Sequence, residues 1–375
     1  MLAEAAFGRH DLPRFDNAAM DGYAVRAADL LPRDAAGGHA PVVLHVVADI
    51  PAGSAEDPRL GPGEAARIMT GAALPSDADA VVPLEHTAEG TSFPASGPVK
   101  VLSAALPGAH VRRAGEEIRA GERILASGRV LGPRQLAAAA AAGHPALLVH
   151  PAPRVAVIAT GSELVAPGEP LARGQISESN STLLAALVTG TGGFVAHRRV
   201  VGDEPEALRA VVAELQASVD VIVVAGGVGG GAYDVVRRGF SALLEFHDVA
   251  MQPGRPQGFG RLAHGPIVFG LPGNPVAAAV SFEVFVRPAL ARMRGLDHER
   301  RTFDATAAVG WRSRADRAQY LPVIVGADAV RPAGAGRSHF VASLAAADAY
   351  AVVPVGIDEV HAGDRVTVLK ATGSE

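Results

Sequence analysis

Three acidic side chains lie in loops that follow segments with the pattern of buried strands. Glu163 and Asp203 come shortly after such segments, and Asp234 comes at the end of the glycine-rich loop that follows another. The carboxyl ends of parallel strands share one edge of a sheet, which is where α/β proteins bind ligands. Carboxylates at such an edge suit Mg²⁺. Taken singly, Asp203 fits the N-cap of the following helix, and Glu163 and Asp234 fit a structural role equally well. Taken together, the three favour a site, with Glu163 and Asp234 as the predicted metal ligands.

A glycine-rich loop lies between a predicted strand at 221–224 and a predicted helix at 232–244. Such a loop can present bare backbone N–H groups and a helix N-terminus to an anion such as phosphate. The alternative is a flexible turn, since glycine supplies 43 of the 375 residues. The loop contains five glycines in six positions, namely Gly226, Gly227, Gly229, Gly230 and Gly231.

Two common nucleotide-binding motifs fit this loop poorly. Residues 227–232 match the G-x-G-x-x-A pattern, but they follow the third strand of their region and no ribose-binding acid is evident. No Gly-Lys-Ser/Thr occurs, so a P-loop is absent. A second turn, 270–275, reads Gly-Leu-Pro-Gly-Asn-Pro and also follows a strand. The sequence therefore offers two anion-binding loops of uncommon type.

Alternating strands and helices over 151–296 predict a parallel α/β domain. Ser179, Asn180 and Ser181 are candidate caps for the predicted helix at 181–188. The remaining predicted strands are 155–159, 194–201 and 266–269, and the remaining predicted helices are 181–188, 206–215 and 275–293.

The chain on either side of this region is predicted to be rich in β-structure. Residues 23–117 read as short strands separated by turns. Residues 297–375 read as a small β domain with strands at 303–309, 320–325, 340–344, 349–353 and 365–369. Residues 16–23 look too polar for a strand and too broken by glycine for a helix. Asp21 and Thr70 stand in turns of this part, where a structural role explains them as well as function does.

Composition excludes several classes of protein. The net charge of −5 with no basic stretch predicts no nucleic-acid or anionic-membrane partner. The absence of cysteine excludes disulfides and thiolate chemistry. No apolar run reaches the ~18 residues of a membrane span. We therefore expect a soluble cytoplasmic protein.

Several blocks together resemble one family over almost the whole chain. The chain is similar to the molybdopterin molybdenumtransferases, the MoeA-like group related to the E domain of gephyrin. The Met-Asp-Gly-Tyr and Leu-Pro-Gly-Asn-Pro blocks are its most specific motifs. The blocks lie at 16–25, 67–71, 115–118, 160–164, 226–228 and 270–275.

The resemblance implies insertion of molybdenum from molybdate into adenylylated molybdopterin, with Mg²⁺ assisting and AMP released. It implies a homodimer whose cleft is shared between subunits, so that Asp21 and Thr70 of one chain face Glu163 and Asp234 of the other. A molybdopterin adenylyltransferase and molybdoenzymes are further partners that it suggests. The alternatives are a non-catalytic molybdopterin-binding carrier or scaffold, and an adenylyltransferase-type nucleotide enzyme.

The resemblance also assigns roles to residues. The positions matching family residues implicated in activity are Asp21, Thr70, Glu117, Glu163, Asp203 and Asp234. The expected substrate-binding residues are Gly226, Gly227, Gly229, Gly230, Asn180, Pro272, Gly273, Asn274 and Pro275, with Arg255, Arg317 and Ser338 as candidate donors to the molybdate oxyanion.

The fold that the resemblance implies is multidomain α/β and β. It consists of a central parallel α/β molybdopterin-binding domain, a β-rich inserted domain and a small C-terminal β-barrel. The predicted domains are 1–20 with 118–150 (a linker or helical domain), 21–117, 151–296 and 297–375.

This chain departs from the family pattern at Ala18, Ala225 and Gly229, where serine is usual. The family's N-terminal helical segment is also expected to be missing.

Overall fold

A computed structural model describes residues 1–31, 40–231, 234–263, 265–296, 302–334 and 338–372. The chain forms two compact units, Met1–Val149 and His150–Glu375. No helix among these residues has the length and apolar character needed to cross a membrane.

The first unit is built mainly of short strands with one helix. The strands are β1 (Ala6–Phe7), β2 (Asn17–Ala18), β3 (Gly22–Val25), β4 (Val42–Ile50), β5 (Glu64–Ile68), β6 (Ala80–Pro83), β7 (Gly97–Val101), β8 (Val111–Arg112) and β9 (Arg123–Leu125). The helix is α1 (Pro133–Ala141), and single 3₁₀ turns cover Ala27–Leu30, Leu84–His86 and Gly90–Ser92.

The main sheet of this unit has five strands in the order β6-β3-β5-β4-β7. β3 lies between two antiparallel neighbours, and Tyr23 is fully buried in its core. The prediction that 16–23 excludes strands was therefore wrong, because β2 and the start of β3 both fall there. Tertiary burial outweighs the polar composition of so short a segment.

The second unit begins with an α/β part. Its strands are β10 (Arg154–Thr160), β11 (Leu164–Val165), β12 (Ile176–Ser177), β13 (Phe194–Val201), β14 (Val221–Ala225), β15 (Leu244–Asp248), β16 (Met251–Gln252), β17 (Pro256–Arg261) and β18 (Ile267–Leu271). Its helices are α2 (Asn180–Gly190), α3 (Pro205–Leu215), α4 (Val235–Phe240), α5 (Pro275–Ser281) and α6 (Arg287–Met293).

Six of these strands form one sheet in the order β13-β10-β14-β18-β17-β15. The first four are parallel, as predicted, and β17 and β15 extend the sheet with antiparallel pairing. The predicted helix over 232–244 was wrong in length, because α4 ends at Phe240 and Leu244 begins β15. Phe240 and Leu244 are buried in one core cluster from separate elements. A helix-like apolar spacing can therefore arise across a turn.

The predicted helix over 275–293 forms with a change of winding inside it. A π-helical segment, Phe282–Val286, joins α5 to α6, and the Arg287 N–H reaches the Phe282 carbonyl. Pro288 follows and has no N–H to continue the regular ladder, which is a common cause of such local distortion.

The last part of the second unit is a closed β-barrel, as predicted. Its elements are β19 (Thr302–Ala307), β20 (Trp311–Arg312), β21 (Ala318–Val325), β22 (Ala329–Pro332), α7 (Val341–Ala345), β23 (Ala349–Val353), β24 (Glu359–Val360) and β25 (Arg365–Lys370). The pairings β21-β22-β19-β25-β23-β21 close the ring.

The predicted strand at 340–344 was wrong, because α7 occupies 341–345. The segment consists largely of alanine, leucine and serine, and Leu344 packs against buried apolar residues through one turn of helix. Short apolar runs do not by themselves distinguish strand from helix.

Candidate functional site

The carboxyl edge of the central sheet carries four adjacent loops. They follow the neighbouring parallel strands β13, β10, β14 and β18. These loops contain Asp203, Glu163, the glycine loop and the turn 272–275 respectively. Because the strands are parallel and adjacent, all four loops emerge at the same edge. The sequence prediction of one shared edge is therefore confirmed.

Asp203 joins the loops after β13 and β10. Its carboxylate accepts the Ser162 N–H at 2.9 Å, and its own N–H donates to Ser162 Oγ at 3.1 Å. The predicted N-cap role was wrong, since Glu204 occupies the N-cap of α3 and makes no side-chain cap bond. Ser162 is the residue that sequence reasoning missed here, although it lies inside the Thr-Gly-Ser-Glu block. Asp203 therefore forms its hydrogen bonds with the loop after β10 rather than with the helix that follows it.

The Glu163 carboxylate folds back over the preceding turn. Gly161 has φ +153°, and a Cβ there would lie 2.5 Å from Glu163 Oε2. The side chain is exposed. Glycine at 161 therefore leaves room for the carboxylate at the sheet edge.

Two residues of the glycine loop must be glycine because of their backbone conformation and their close neighbours. Gly226 and Gly227 have φ of +103° and +65°, a region that favours glycine. A Cβ on Gly226 would lie 2.6 Å from Thr160 Oγ1, and one on Gly227 would lie 2.9 Å from the Val235 N. The loop therefore passes close to β10 on one side and to α4 on the other.

Asp234 closes the far end of this loop. Its Oδ2 accepts the Gly231 N–H, and a Cβ on Gly229 would lie 3.0 Å from the same oxygen. A Cβ on Gly230 would meet no atom within 4 Å. The Asp234 carboxylate therefore lies next to the glycine backbone of the loop, and it already accepts one of the loop's N–H groups, that of Gly231.

The turn 272–275 lies against the glycine loop and gathers two amide side chains. The Gly226 N–H donates to the Leu271 carbonyl at 2.9 Å. Asn180 Nδ2 donates to the Gly273 carbonyl at 2.6 Å, and Asn274 Nδ2 donates to Ser338 Oγ at 3.1 Å. The predicted binding residues Asn180, Asn274 and Ser338 therefore meet at this turn, with Pro272 and Pro275 flanking Gly273 and Asn274.

The two candidate arginines are paired with carboxylates instead. Arg255 Nη2 lies 3.0 Å from Asp248 Oδ2, and both side chains are exposed. Arg317 Nη2 lies 2.5 Å from Asp316 Oδ2, and this guanidinium is the main reason that the pKa of Asp316 falls to about 2. The contacts made by the described residues do not bring either arginine to the glycine loop.

The first unit holds a separate pair of predicted residues. Asp21 Oδ1 accepts both the Thr70 N–H and the Thr70 hydroxyl, each at 2.7 Å. These bonds, the backbone one first, lower the pKa of Asp21 below its ordinary value. Asp21 precedes β3 and Thr70 follows β5, and the pairing of Gly22 with Ile68 in adjacent strands brings them together.

Glu117 lies in a loop of the same unit that is fixed by Asp16. The Asp16 carboxylate accepts the Ala114 N–H at 2.8 Å and pairs with Arg113 Nη1 at 2.6 Å. The Ala114 bond is the largest cause of the lowered pKa of Asp16. Glu117 is exposed, and its N–H donates to the Leu12 carbonyl at 3.0 Å. Asp16 belongs to the same sequence block as Asp21, which is the signal that could have identified it.

The donors at the sheet edge fit Mg²⁺ shared with a substrate rather than a closed protein cage. No group of three or more histidine, aspartate or glutamate side chains that could hold a metal occurs within the described ranges. Mg²⁺ commonly binds through one or two carboxylates together with substrate phosphates. Exposed Glu163 and half-buried Asp234 suit that mode.

The parallel sheet with its glycine loop and Leu-Pro-Gly-Asn-Pro turn defines an α/β domain suited to anionic ligands. Residues 156–292, which contain both loops, match the family model described as a probable molybdopterin binding domain. Residues 1–143 match the MoeA N-terminal region (domain I and II), and 304–371 match the MoeA C-terminal region (domain IV). The chain belongs to the MoeA family.

Full-length relatives agree with this assignment. Molybdopterin molybdenumtransferase 2 of Mycobacterium tuberculosis is 43% identical over 372 residues, covering 96% of this chain and 90% of the relative. Molybdopterin molybdenumtransferase 1 of the same organism is 38% identical, covering 98% and 91%. The crystal structure of a molybdopterin biosynthesis MoeA protein from Pyrococcus horikoshii has a TM-score of 0.83 at 33% identity, covering 99% and 91%.

Proposed function

We propose that this protein is a molybdopterin molybdenumtransferase of molybdenum cofactor biosynthesis. It would insert molybdenum from molybdate into adenylylated molybdopterin and release AMP. The observation that carries the proposal is the shared carboxyl edge of β13, β10, β14 and β18 in a chain of the MoeA family. That edge offers backbone donors for phosphates beside the carboxylates Glu163, Asp203 and Asp234.

The two loops at this edge would bind the pterin and the pyrophosphate. Gly229 and Gly230 expose backbone without side chains, so a phosphate can approach closely. The side chains of Asn180 and Asn274 make hydrogen bonds at the neighbouring turn. This turn lies close to the glycine loop, because a Cβ on Gly273 would be 3.3 Å from the Gly226 Cα. Donors fixed before the reaction stabilise the charge that develops on the departing AMP phosphate.

Glu163 and Asp234 would hold Mg²⁺ together with the pyrophosphate oxygens. When bound, Mg²⁺ supplies positive charge that reduces repulsion at the phosphoanhydride and assists AMP departure. Asp203, through its bonds with Ser162, keeps the loop that bears Glu163 next to the end of β13. In this proposal Glu163 and Asp234 would hold the ion, and Asp203 would brace the loop that bears Glu163.

Ser338 is the favoured donor to molybdate. Its hydroxyl already contacts Asn274 at 3.1 Å, and its carbonyl accepts the Val276 N–H at 3.1 Å. Arg255 and Arg317 could bind the oxyanion only after leaving Asp248 and Asp316. We therefore rank the serine first among the three predicted donors.

The catalytic cleft is proposed to form in a cytoplasmic homodimer, as the family resemblance implies. Asp21, Thr70 and Glu117 of one subunit would then act on the same substrate as Glu163 and Asp234 of the partner subunit. Light scattering at micromolar concentration tests this directly, since a monomeric mass would contradict a shared cleft.

The reaction itself is tested by measuring AMP release from adenylylated molybdopterin, with and without molybdate and Mg²⁺. We expect release that needs molybdate and is suppressed by EDTA. Asp234→Asn should slow it at least tenfold. Asp364→Asn is the matched control, because Asp364 accepts the His361 N–H three residues earlier, as Asp234 does with Gly231, but lies in the barrel.

This assay and a second one with ATP and molybdopterin separate the enzyme from the two alternatives. Tight binding of the pterin without any AMP release would indicate a carrier or scaffold. AMP transfer from ATP to molybdopterin would indicate an adenylyltransferase. Turnover unaffected by Asp234→Asn would contradict the proposed role of the glycine loop.

A further inference from the structure

His110 adopts a left-handed backbone conformation, which is uncommon for residues other than glycine. Its φ is +53°, and Phe93 (φ +36°) is the one other non-glycine residue with positive φ among those the structure describes. Phe93 is fixed by its ring, which packs edge-to-face on Tyr23 and lies under the Arg67 guanidinium. The His110 side chain is exposed. Because the side chain makes no buried contact with a described residue that would fix this conformation, we attribute it to the backbone hydrogen bonding around the residue.

The carbonyl of His110 bonds to the segment that leads into Asp21. The Ala19 N–H donates to it at 2.9 Å, and the next residue, Val111, pairs with Ala18 in the β2–β8 ladder. The left-handed residue therefore stands at the point where this ladder ends. Its carbonyl supports the chain two residues before the carboxylate that Thr70 contacts.

A second backbone hydrogen bond reaches the same segment from the turn that contains His86. The Leu84 N–H donates to the Asp21 carbonyl at 3.3 Å, and Leu84 opens the 3₁₀ turn that ends at His86. The His86 and His110 rings lie edge-to-face with 6.3 Å between their centroids. The two imidazoles are therefore neighbours, one on each of the two segments that hydrogen-bond to the backbone of residues 19–21.

We infer that His110 is a positioning residue for Asp21, and that its left-handed backbone sets the geometry in which the Asp21 carboxylate meets Thr70. The inference deepens the proposed function, because it matters to catalysis only if Asp21 takes part in the reaction. His110 does not need to touch the substrate in this role. What the position requires is a residue that tolerates positive φ, with the imidazole contact to His86 adding support.

A graded series of substitutions tests this requirement. Glycine and asparagine accept the left-handed region, alanine does so at a cost, and β-branched valine is strongly disfavoured. The order of effects for His110→Gly, His110→Asn, His110→Ala and His110→Val should follow that tolerance. We expect turnover of AMP release to stay within about threefold for glycine and asparagine, and to fall roughly tenfold for alanine and further for valine. KM for adenylylated molybdopterin should change less than kcat.

A readout independent of activity is the pKa of the Asp21 carboxyl, followed by carbon NMR. The Thr70 hydrogen bonds lower that pKa, so loosening the loop should raise it towards the ordinary value in the alanine and valine variants only. Gly121→Ala is the control for a strained turn elsewhere in the unit. Gly121 has φ +86° and open space around its Cβ position, so the variant should lose stability without moving the pKa of Asp21.

The outcomes distinguish this inference from the proposed function. An unchanged Asp21 pKa across all four variants would overturn the positioning role, whatever the activity. Equal loss of turnover in all four, with that pKa unchanged, would show that the imidazole itself acts. If Asp21→Asn leaves turnover intact, the proposed role of Asp21 fails while the NMR series still decides the positioning.

Discussion

Thr70 donates both of its hydrogen bonds to one oxygen of Asp21. Its N–H and its hydroxyl each lie 2.7 Å from Oδ1, although 49 residues separate the two positions. The arrangement orients the carboxylate and leaves Oδ2 without a hydrogen bond to any described residue. Both donors favour the ionised form of the carboxylate and so lower the pKa of Asp21.

Thr70→Ala should weaken this arrangement without abolishing it. The backbone donor remains, so the free energy of unfolding should fall by no more than about 1 kcal/mol at neutral pH, because both side chains are exposed. The pKa of Asp21 is lowered on folding, so its contribution is complete above the unfolded value of about 3.9 and is lost as pH falls through the folded value.

Denaturation of Thr70→Ala and Thr70→Ser at pH 7 and at decreasing pH checks this sign. The serine variant keeps a hydroxyl and should match the wild type. A stability difference between wild type and Thr70→Ala that grew towards acid pH would contradict the hydrogen-bond explanation.

Gly22→Ala should strongly destabilise the first unit. A Cβ at this position would lie 2.1 Å from the Val82 carbonyl oxygen, and β3 cannot move away because it is paired on both sides. We expect a loss of more than about 2 kcal/mol. Gly71→Ala is the comparison, since Gly71 has φ +82° but open space and should lose only about 1 kcal/mol. Equal losses in urea denaturation would contradict the steric argument.

Gly229→Ala should disturb Asp234 more than Gly230→Ala does. A Cβ on Gly229 would crowd Asp234 Oδ2 at 3.0 Å, the oxygen that accepts the Gly231 N–H, whereas one on Gly230 meets nothing within 4 Å. Hydrogen exchange at the Gly231 amide should therefore accelerate several-fold in the first variant and change little in the second. The same rate in both variants would mean that Asp234 does not fix this end of the loop.

Asp203→Asn separates the charge of Asp203 from its bracing role. An asparagine oxygen can still accept the Ser162 N–H, so the free energy of unfolding should stay within about 1 kcal/mol of wild type. Turnover that depends on Mg²⁺ should fall at least tenfold if the charge is needed near the ion. Asp203→Ala should lose both stability and turnover. Full activity in the asparagine variant would leave Asp203 with the structural role alone.

Much of the α/β part could be predicted because local patterns decide it. The β-branched runs at 155–159 and 221–224 fit strands buried on both faces, and they form β10 and β14. The turns after β14 and β18 carry glycine and proline, which restrict the backbone by their own chemistry. The order of strands and acids along the chain was sufficient to predict one shared edge.

Local patterns were misleading where the same apolar residues fit two elements. The segment 341–345 is a helix and not a strand, and the apolar spacing after the glycine loop covers a short helix, a turn and the start of β15. Partly buried Leu344 packs against core residues from its helix, and Leu244 is buried in the core from its strand. Sequence periodicity cannot weigh one burial against another over so few residues.

The identity and local backbone of the loops follow from the amino-acid sequence alone, since glycine, proline and β-branched residues limit φ and ψ wherever they occur. Which side chains meet depends on the tertiary structure. Asp203 bonds to Ser162 rather than to its own helix, and Asp21 bonds to Thr70, because β13 pairs with β10 and β3 with β5. Strand pairing joins distant residues through burial and backbone hydrogen bonding of the whole sheet, and no local stretch of sequence encodes that choice.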